Sequence, residues 1–442
     1  MKSKLAAPGI GAELSASGDI ASFEARTYAK VARRLIPFLM LCYLGAYLDR
    51  VNVGFAKLQM LNDLGFSETV YGVGAGIFFL GYFIFEVPSN MILHKVGARN
   101  WLARIMLTWA LISASFVFVK SPTLFYVLRF LLGVAEAGFA PGVILYLTYW
   151  FPSARRAKAL SMFFMAIPLA GIVGGPLSGW IMHAFQGAHG LPGWKWLFML
   201  EALPSLVLGF AIILYLDNGI AGAKWLGDDE KALLKRNVDK DRTQTTEHVS
   251  IRSFINDRRL WLMAGIYFCV VLGQYGLTFW LPTIIRRTGV ADPLWVGILT
   301  AIPYTCAIIV LPLLGSSADK RRERRLHLAI PLLISAAGFA TLPMLSSVGA
   351  SIACVSIAAA GILASSSLFW ALPTAVLGGM SAAAGIAAVN CFANLAGFFS
   401  PAIVGWLNDF TGKPTAGLIF ISVAVVLGAV LVFFVPAKTV NR

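Results

Sequence analysis

The chain has 442 residues, of which 58% are hydrophobic and only 13% charged, with a formal net charge of +15. Soluble globular chains carry about 25% charged residues, so a string of ordinary soluble domains is excluded. The five cysteines all fall in apolar stretches, and neither they nor the five histidines show metal-ligand spacing, which excludes a zinc or disulfide framework.

The first 32 residues are polar and lack the apolar core and cleavage site of a signal peptide; they are expected as a cytoplasmic tail. Twelve apolar runs follow, at about 35–57, 70–93, 101–119, 122–149, 160–183, 195–216, 260–284, 294–314, 327–346, 350–372, 382–406 and 415–436. A run of about 20 apolar residues spans a bilayer as a helix. Barrel strands would alternate over about ten residues, and these runs do not. The fold class is therefore an all-α integral membrane protein with twelve transmembrane helices.

The longest polar stretch, 218–258, divides the runs into six-helix bundles at 33–217 and 259–437, with 438–442 as a short tail. Within it, AKWLGDDEKALLKRNV reads as an amphipathic helix, with Asp228 at its start and Leu233 and Leu234 on its apolar side. An even number of spans puts both termini on one side. That side then holds 27 Lys and Arg residues against six on the other, which places the termini in the cytoplasm. The basic excess is thus a topology signal, and nucleic acid is not an expected partner. The halves echo each other: HKVGARN follows the second run and GSSADKRRERR the eighth. Repeated halves are the sequence trace of alternating access, with a site near the midplane between them.

Ionisable groups at membrane depth are costly, by about 2.5–3.5 kcal/mol on insertion scales, and mark function or helix pairing. The deep candidates are Asp49 and Arg50 in the first run, Glu86 in the second, and Arg129 and Glu136 in the fourth. Arg104 and Glu201 read as lying nearer helix ends. One helical step turns about 100°, so Asp49 and Arg50 are not expected to pair. Arg129 and Glu136 share a face but stand about 10 Å apart along the axis. Cross-pairing between the first and fourth helices follows. Arginine offers a carboxylate a planar fork of donors, so Arg50 and Arg129 are expected to bind an anionic substrate. Asp49 and Glu136 are expected to carry coupled protons. Tyr47 and Tyr82 would line the same ionic wall. The second half offers neutral groups instead, among them Gln274, Trp370, Asn390 and Asn394, the last two at i,i+4 spacing. Glu86 and Asp319 are gate candidates. No nucleophile set, phosphate-cradling loop or cofactor motif appears, so an enzyme is not expected.

Several strings carry a resemblance: YLDRVNVGFA, GYFIFEVPSNMILHKVGARNWLARIM, RFLLGVAEAGFAPGVILYLTYWFP, FWALP and NCFANLAGF. With the six-plus-six layout and paired basic loops, the chain resembles the major facilitator superfamily and, within it, the anion:cation symporter family. That family includes bacterial permeases for galactonate, glucarate, tartrate, phthalate and hydroxyphenylacetate. The resemblance implies a proton-coupled symporter for a small organic carboxylate in the bacterial inner membrane, working as a monomer among lipids with no cofactor beyond protons. An exchanger or uniporter of the same fold is the alternative. The resemblance also implies coupling and substrate roles for Asp49, Arg50, Arg129 and Glu136, and substrate contact for Gln274, Trp370 and Asn394. One departure stands out: His94 occupies a loop position where the superfamily usually has an acid, while the second copy keeps Asp319.

Overall fold

A computed structural model describes residues 10–243, 257–376 and 381–441. Among them every regular element is helical. Twelve helices are long and apolar enough to cross a membrane. They are α1 Ala21–Leu64, α2 Glu68–Val96, α3 Ala98–Phe118, α4 Pro122–Thr148, α5 Ser153–Ala184, α6 Gly193–Tyr215, α7 Arg258–Arg287, α8 Pro293–Arg321, α9 Arg325–Met344, α10 Val348–Pro373, α11 Ala388–Thr411 and α12 Thr415–Phe433. Each matches one of the twelve apolar runs. Caps explain several starts: Ser67, Ser121, Asp257 and Asp292 each accept an N–H of the first turn through the side chain.

The first helix differs from expectation. Helical structure begins at Ile10, inside the segment read as a polar tail, and Tyr28 and Val31 are buried. From Glu24 to Lys30, that stretch is held by the linker helix and by the start of α5. The linker helix, Asp228–Thr243, buries Leu233 and Leu234. Its start is closed by Glu230, which accepts the Gly227 N–H at 2.8 Å, rather than by Asp228. Glu230 also meets Lys30 at 2.7 Å, Asn237 donates to Tyr28, and Asp241 meets Ser153 and Arg156. All of these partners belong to the first half. The rest of the expected linker, 244–256, lies outside the described residues.

The two bundles meet through two equivalent helix pairs, α2 with α11 and α5 with α8. Each pairs the second helix of one half with the fifth of the other, as a repeat predicts. Contact is close because glycine removes the side chain. A Cβ on Gly72 would stand 2.2 Å from the Pro401 carbonyl oxygen, and one on Gly297 would stand 2.2 Å from that of Gly175. Both crossings lie in the half of each helix remote from the termini. Burial along α2 follows this: most residues from Tyr71 to Tyr82 are buried, whereas Ile84, Phe85, Val87, Met91 and Ile92 are exposed. The halves are therefore closed together at the end away from the termini and splayed at the terminal end.

Polar contacts reinforce the closed end. Lys57 of α1 is only 4% exposed, with its ammonium 2.6 Å from Glu68 and 3.4 Å from the centroid of the Trp280 ring in the second half. Glu68 also meets Arg287, and the Tyr71 hydroxyl donates to the Phe279 carbonyl. Asp409 accepts the N–H groups of Glu68 and Thr69 at 3.2 and 2.7 Å, capping the start of α2 from across the interface. Lys57, at the end of the first apolar run, is thus part of the interface.

Candidate functional site

Between the bundles, α4 breaks directly after Glu136. Ala137 leaves the helix at φ −53°, ψ 128°, and Gly138 takes φ 88°, a left-handed value that favours glycine, and a Cβ there would meet Ser89. The equivalent helix of the second half, α10, breaks at Phe369 and Trp370. Helices α5 and α11 are likewise interrupted, at Met165 and Leu395. Broken helices are where transporters expose backbone and build binding sites. Glu136 and Trp370 thus sit at matching discontinuities.

At the α4 break, Glu136 accepts a charge-assisted hydrogen bond from Arg50. Both side chains are buried. The guanidinium stands over three rings, with its central carbon 5.8 Å from Tyr47, 5.3 Å from Phe78 and 5.5 Å from Tyr82. Tyr275 of the second half faces the same guanidinium. Aromatic faces stabilise a cation without supplying a counter-ion, so Glu136 is the sole acid paired with Arg50 among the described residues.

Asp49 faces the other way. It accepts hydrogen bonds from Trp109 Nε1 (3.1 Å) and Ser113 Oγ (2.7 Å) of α3 and from Ser205 Oγ (2.7 Å) of α6. The adjacent acid and base therefore have separate partners, as the helical step requires. Arg129 is fully buried and donates to the Gly74 and Ala75 carbonyls at 3.1 Å each. In this conformer it grips α2 and is not presented to the space between the halves.

The remaining candidates are spread along that space. Trp370 packs edge-on to Tyr267 at 4.7 Å. Gln274, Asn390 and Asn394 are partly exposed. Glu86 is partly buried, with Arg50 and Cys391 among its electrostatic neighbours. Asp319 lies in the last turn of α8, and no ion pair to it is found among the described residues. His94 approaches the Tyr149 hydroxyl at 3.3 Å. A separate cavity of about 530 Å³ lies under the linker helix, lined by residues such as Tyr149, Asn218, Lys231 and Lys235, and is remote from Arg50. Glu201, in the first half of α6, is buried; its setting is carried by Asn52 and Ser178, residue types too common to signal a site from sequence.

A family model described as Major Facilitator Superfamily matches residues 39–401. The chain is 47% identical over 418 residues, 94% of its length and 95% of the relative's, to a Pseudomonas putida protein named "Putative metabolite transport protein NicT". It is 44% identical over 409 residues, 92% of its length and 91% of the relative's, to an Agrobacterium vitis protein named "Putative tartrate transporter". Among solved structures, a bacterial homologue of the human lysosomal transporter Spinster, in an inward-facing and unoccupied conformation, superposes with a TM-score of 0.78 at 15% identity, covering 93% of this chain and 98% of that one. Together with the twelve helices and the paired half-to-half crossings, these matches show that the chain belongs to the major facilitator superfamily and is a multi-pass inner-membrane transporter of small molecules.

Proposed function

We propose that the chain is a proton-coupled symporter that imports a small organic carboxylate by alternating access. The observation that carries this reading is the Arg50–Glu136 pair. It is a buried charge pair under aromatic rings at a break in α4. An anionic substrate that takes Arg50 leaves Glu136, in a desolvated site, without its hydrogen-bonded cation. A carboxylate so placed binds a proton more readily. Substrate and proton then favour each other, and the linkage is reciprocal. Asp49, sealed behind α1, is the second coupling carboxylate. Arg129 holds α2 in register with α4 and adds positive charge near Glu136. The neutral wall of Gln274, Trp370, Asn390 and Asn394 suits hydroxyl-bearing or aromatic acids. The relative named for tartrate agrees with a small carboxylate. With the termini in the cytoplasm, the splayed end is the inward-facing mouth.

Proteoliposomes carrying Asp49→Asn or Glu136→Gln test the coupling. Each variant is expected to lose uptake driven by a pH gradient while retaining counterflow of labelled substrate. Unchanged pH-driven uptake in both refutes the coupling assignment and leaves exchange or uniport. A panel of sugar acids, tartrate isomers, phthalate and other aromatic acids, scored by thermal stabilisation, identifies the substrate.

A further inference from the structure

Behind Arg50, the opposite face of α1 carries a polar cluster that the Arg50–Glu136 exchange does not use. Asp49 and Asn52 lie one turn apart on α1, and Ser205 and Glu201 lie one turn apart on α6. Asp49 meets Ser205 at 2.7 Å, and one turn along, the Asn52 carboxamide lies against the Glu201 carboxylate. From α5, Ser178 Oγ donates to Glu201 Oε1 at 2.6 Å. Glu201 is 1% exposed and Asn52 wholly buried. Glu201 Oε2 and both polar atoms of the Asn52 side chain have no hydrogen-bond partner.

The charges facing this cluster decide its protonation. From α1 it meets Asp49; α3 contributes Trp109 and Ser113, α5 contributes Ser178, and Glu136 of α4 acts on Asp49 from the far side. Arg50 is engaged with Glu136. Among the described residues no lysine, arginine or histidine is paired with Asp49 or Glu201. Two buried carboxylates without a cation do not both ionise; the pair keeps a proton and titrates as a unit. The donors decide which member holds it. Asp49 accepts from three groups and is arranged as an anion. Glu201 accepts one full hydrogen bond, from Ser178, and the Asn52 carboxamide beside it can turn either its N–H or its oxygen toward Oε2; the second orientation calls for a proton there. One hydrogen on Glu201 Oε2 then satisfies both oxygens.

We propose that Glu201 is a proton-binding site, the protonated member of a shared Asp49–Glu201 pair in the conformer closed away from the termini. The pair adds a site to the symport reading, but its geometry does not depend on Arg50 or Glu136.

Infrared spectroscopy of the purified protein at neutral pH tests this. The wild type is expected to show the C=O band of a protonated carboxylic acid. That band is expected to vanish in Glu201→Gln, persist in Glu136→Gln, and move to higher frequency in Ser178→Ala, where Glu201 loses its donor. A wild type without the band, or a band that survives Glu201→Gln, overturns the proposal. If Glu201→Gln fails to fold, the Ser178→Ala spectrum decides, and an unshifted band overturns it. Absence of the band together with lost pH-driven uptake in Glu136→Gln sinks the shared pair and leaves the symport reading intact. A band that vanishes in Glu201→Gln, with pH-driven uptake unaltered in Asp49→Asn and Glu136→Gln, upholds the pair and removes the symport reading.

Discussion

Arg50 and Arg129 carry the same charge in the same bundle, and their surroundings separate their roles. Arg50 has one exchangeable acid and a ring of aromatics. Arg129 is spent on two backbone carbonyls of α2. Arg50→Lys keeps the charge but loses the planar fork. It is expected to weaken carboxylate binding at least roughly tenfold, about 1.4 kcal/mol, with thermal stability close to wild type. Wild-type affinity by isothermal titration removes Arg50 from the substrate site. Arg129→Leu loses two charge-assisted hydrogen bonds, each worth about 1.5–3 kcal/mol, and is expected to lower the melting temperature by several degrees. An unchanged melting temperature shows that its grip on α2 is dispensable. At this scale the deep charges are legible in the sequence because charge in an apolar run is rare. That Asp49 and Arg50 diverge is legible too, from the turn of a helix. Cross-pairing of α1 with α4 is legible as well, and Arg50 meets Glu136; the partners of Asp49 are not, since Ser113, Ser205 and Trp109 are ordinary residues whose meaning comes only from α3 and α6 folding against α1.

Twelve membrane helices were expected and found because lipid demands long apolar helices, although α1 starts 14 residues before its expected run and α5 and α8 each overrun theirs by seven. What hydropathy does not report is the interruption of α4 and α10 or the docking of polar helices on one another. The linker helix shows this. Asp241 is held below the usual carboxylate range by the Ser153 hydroxyl and N–H, with Arg156 adding to it, and Glu230 likewise by Lys30. Carboxylates depressed in the folded state contribute stability above their unfolded pKa near 4 and lose it as pH falls through the folded value. Docking of the linker helix is therefore expected to be intact at neutral pH and to loosen below about pH 4. Asp241→Asn is expected to loosen it at neutral pH, seen as faster amide exchange over 228–243. Exchange matching the wild type refutes this anchoring. The glycine crossings give a second element-scale test. A side chain at Gly72 cannot fit while α2 touches α11, so Gly72→Val is expected to favour the conformer opened at that end. Spin-label distances between the halves, measured there, lengthen if this holds and stay put if the crossing tolerates the substitution.

For the whole molecule, the end away from the termini is shut over a charge pair of the first half, Lys57–Glu68, that Trp280 and Arg287 of the second half cover only while it stays shut. The Lys57 ammonium is almost fully enclosed, and Glu68 serves both it and Arg287 of the opposite half. Trp280 covers the ammonium from the second half. Opening this end removes the ring and Arg287 but returns the charges to water, so the cluster can hold the closed state without trapping it. Removing one member of a buried pair leaves an uncompensated charge, at a cost of about 3–5 kcal/mol. Glu68→Gln imposes that cost on the closed conformer alone, since in the open one Lys57 is hydrated. A shift of even about 3 kcal/mol changes the ratio of the two conformers by roughly a hundredfold. Distance distributions between labels placed across this end are therefore expected to move from closed to open in Glu68→Gln. Adding Lys57→Met removes the stranded ammonium and is expected to restore most of the closed population, the non-additivity that marks a coupled pair. Additive effects, or a closed population unchanged by Glu68→Gln, leave the glycine crossings as the elements that keep this end shut.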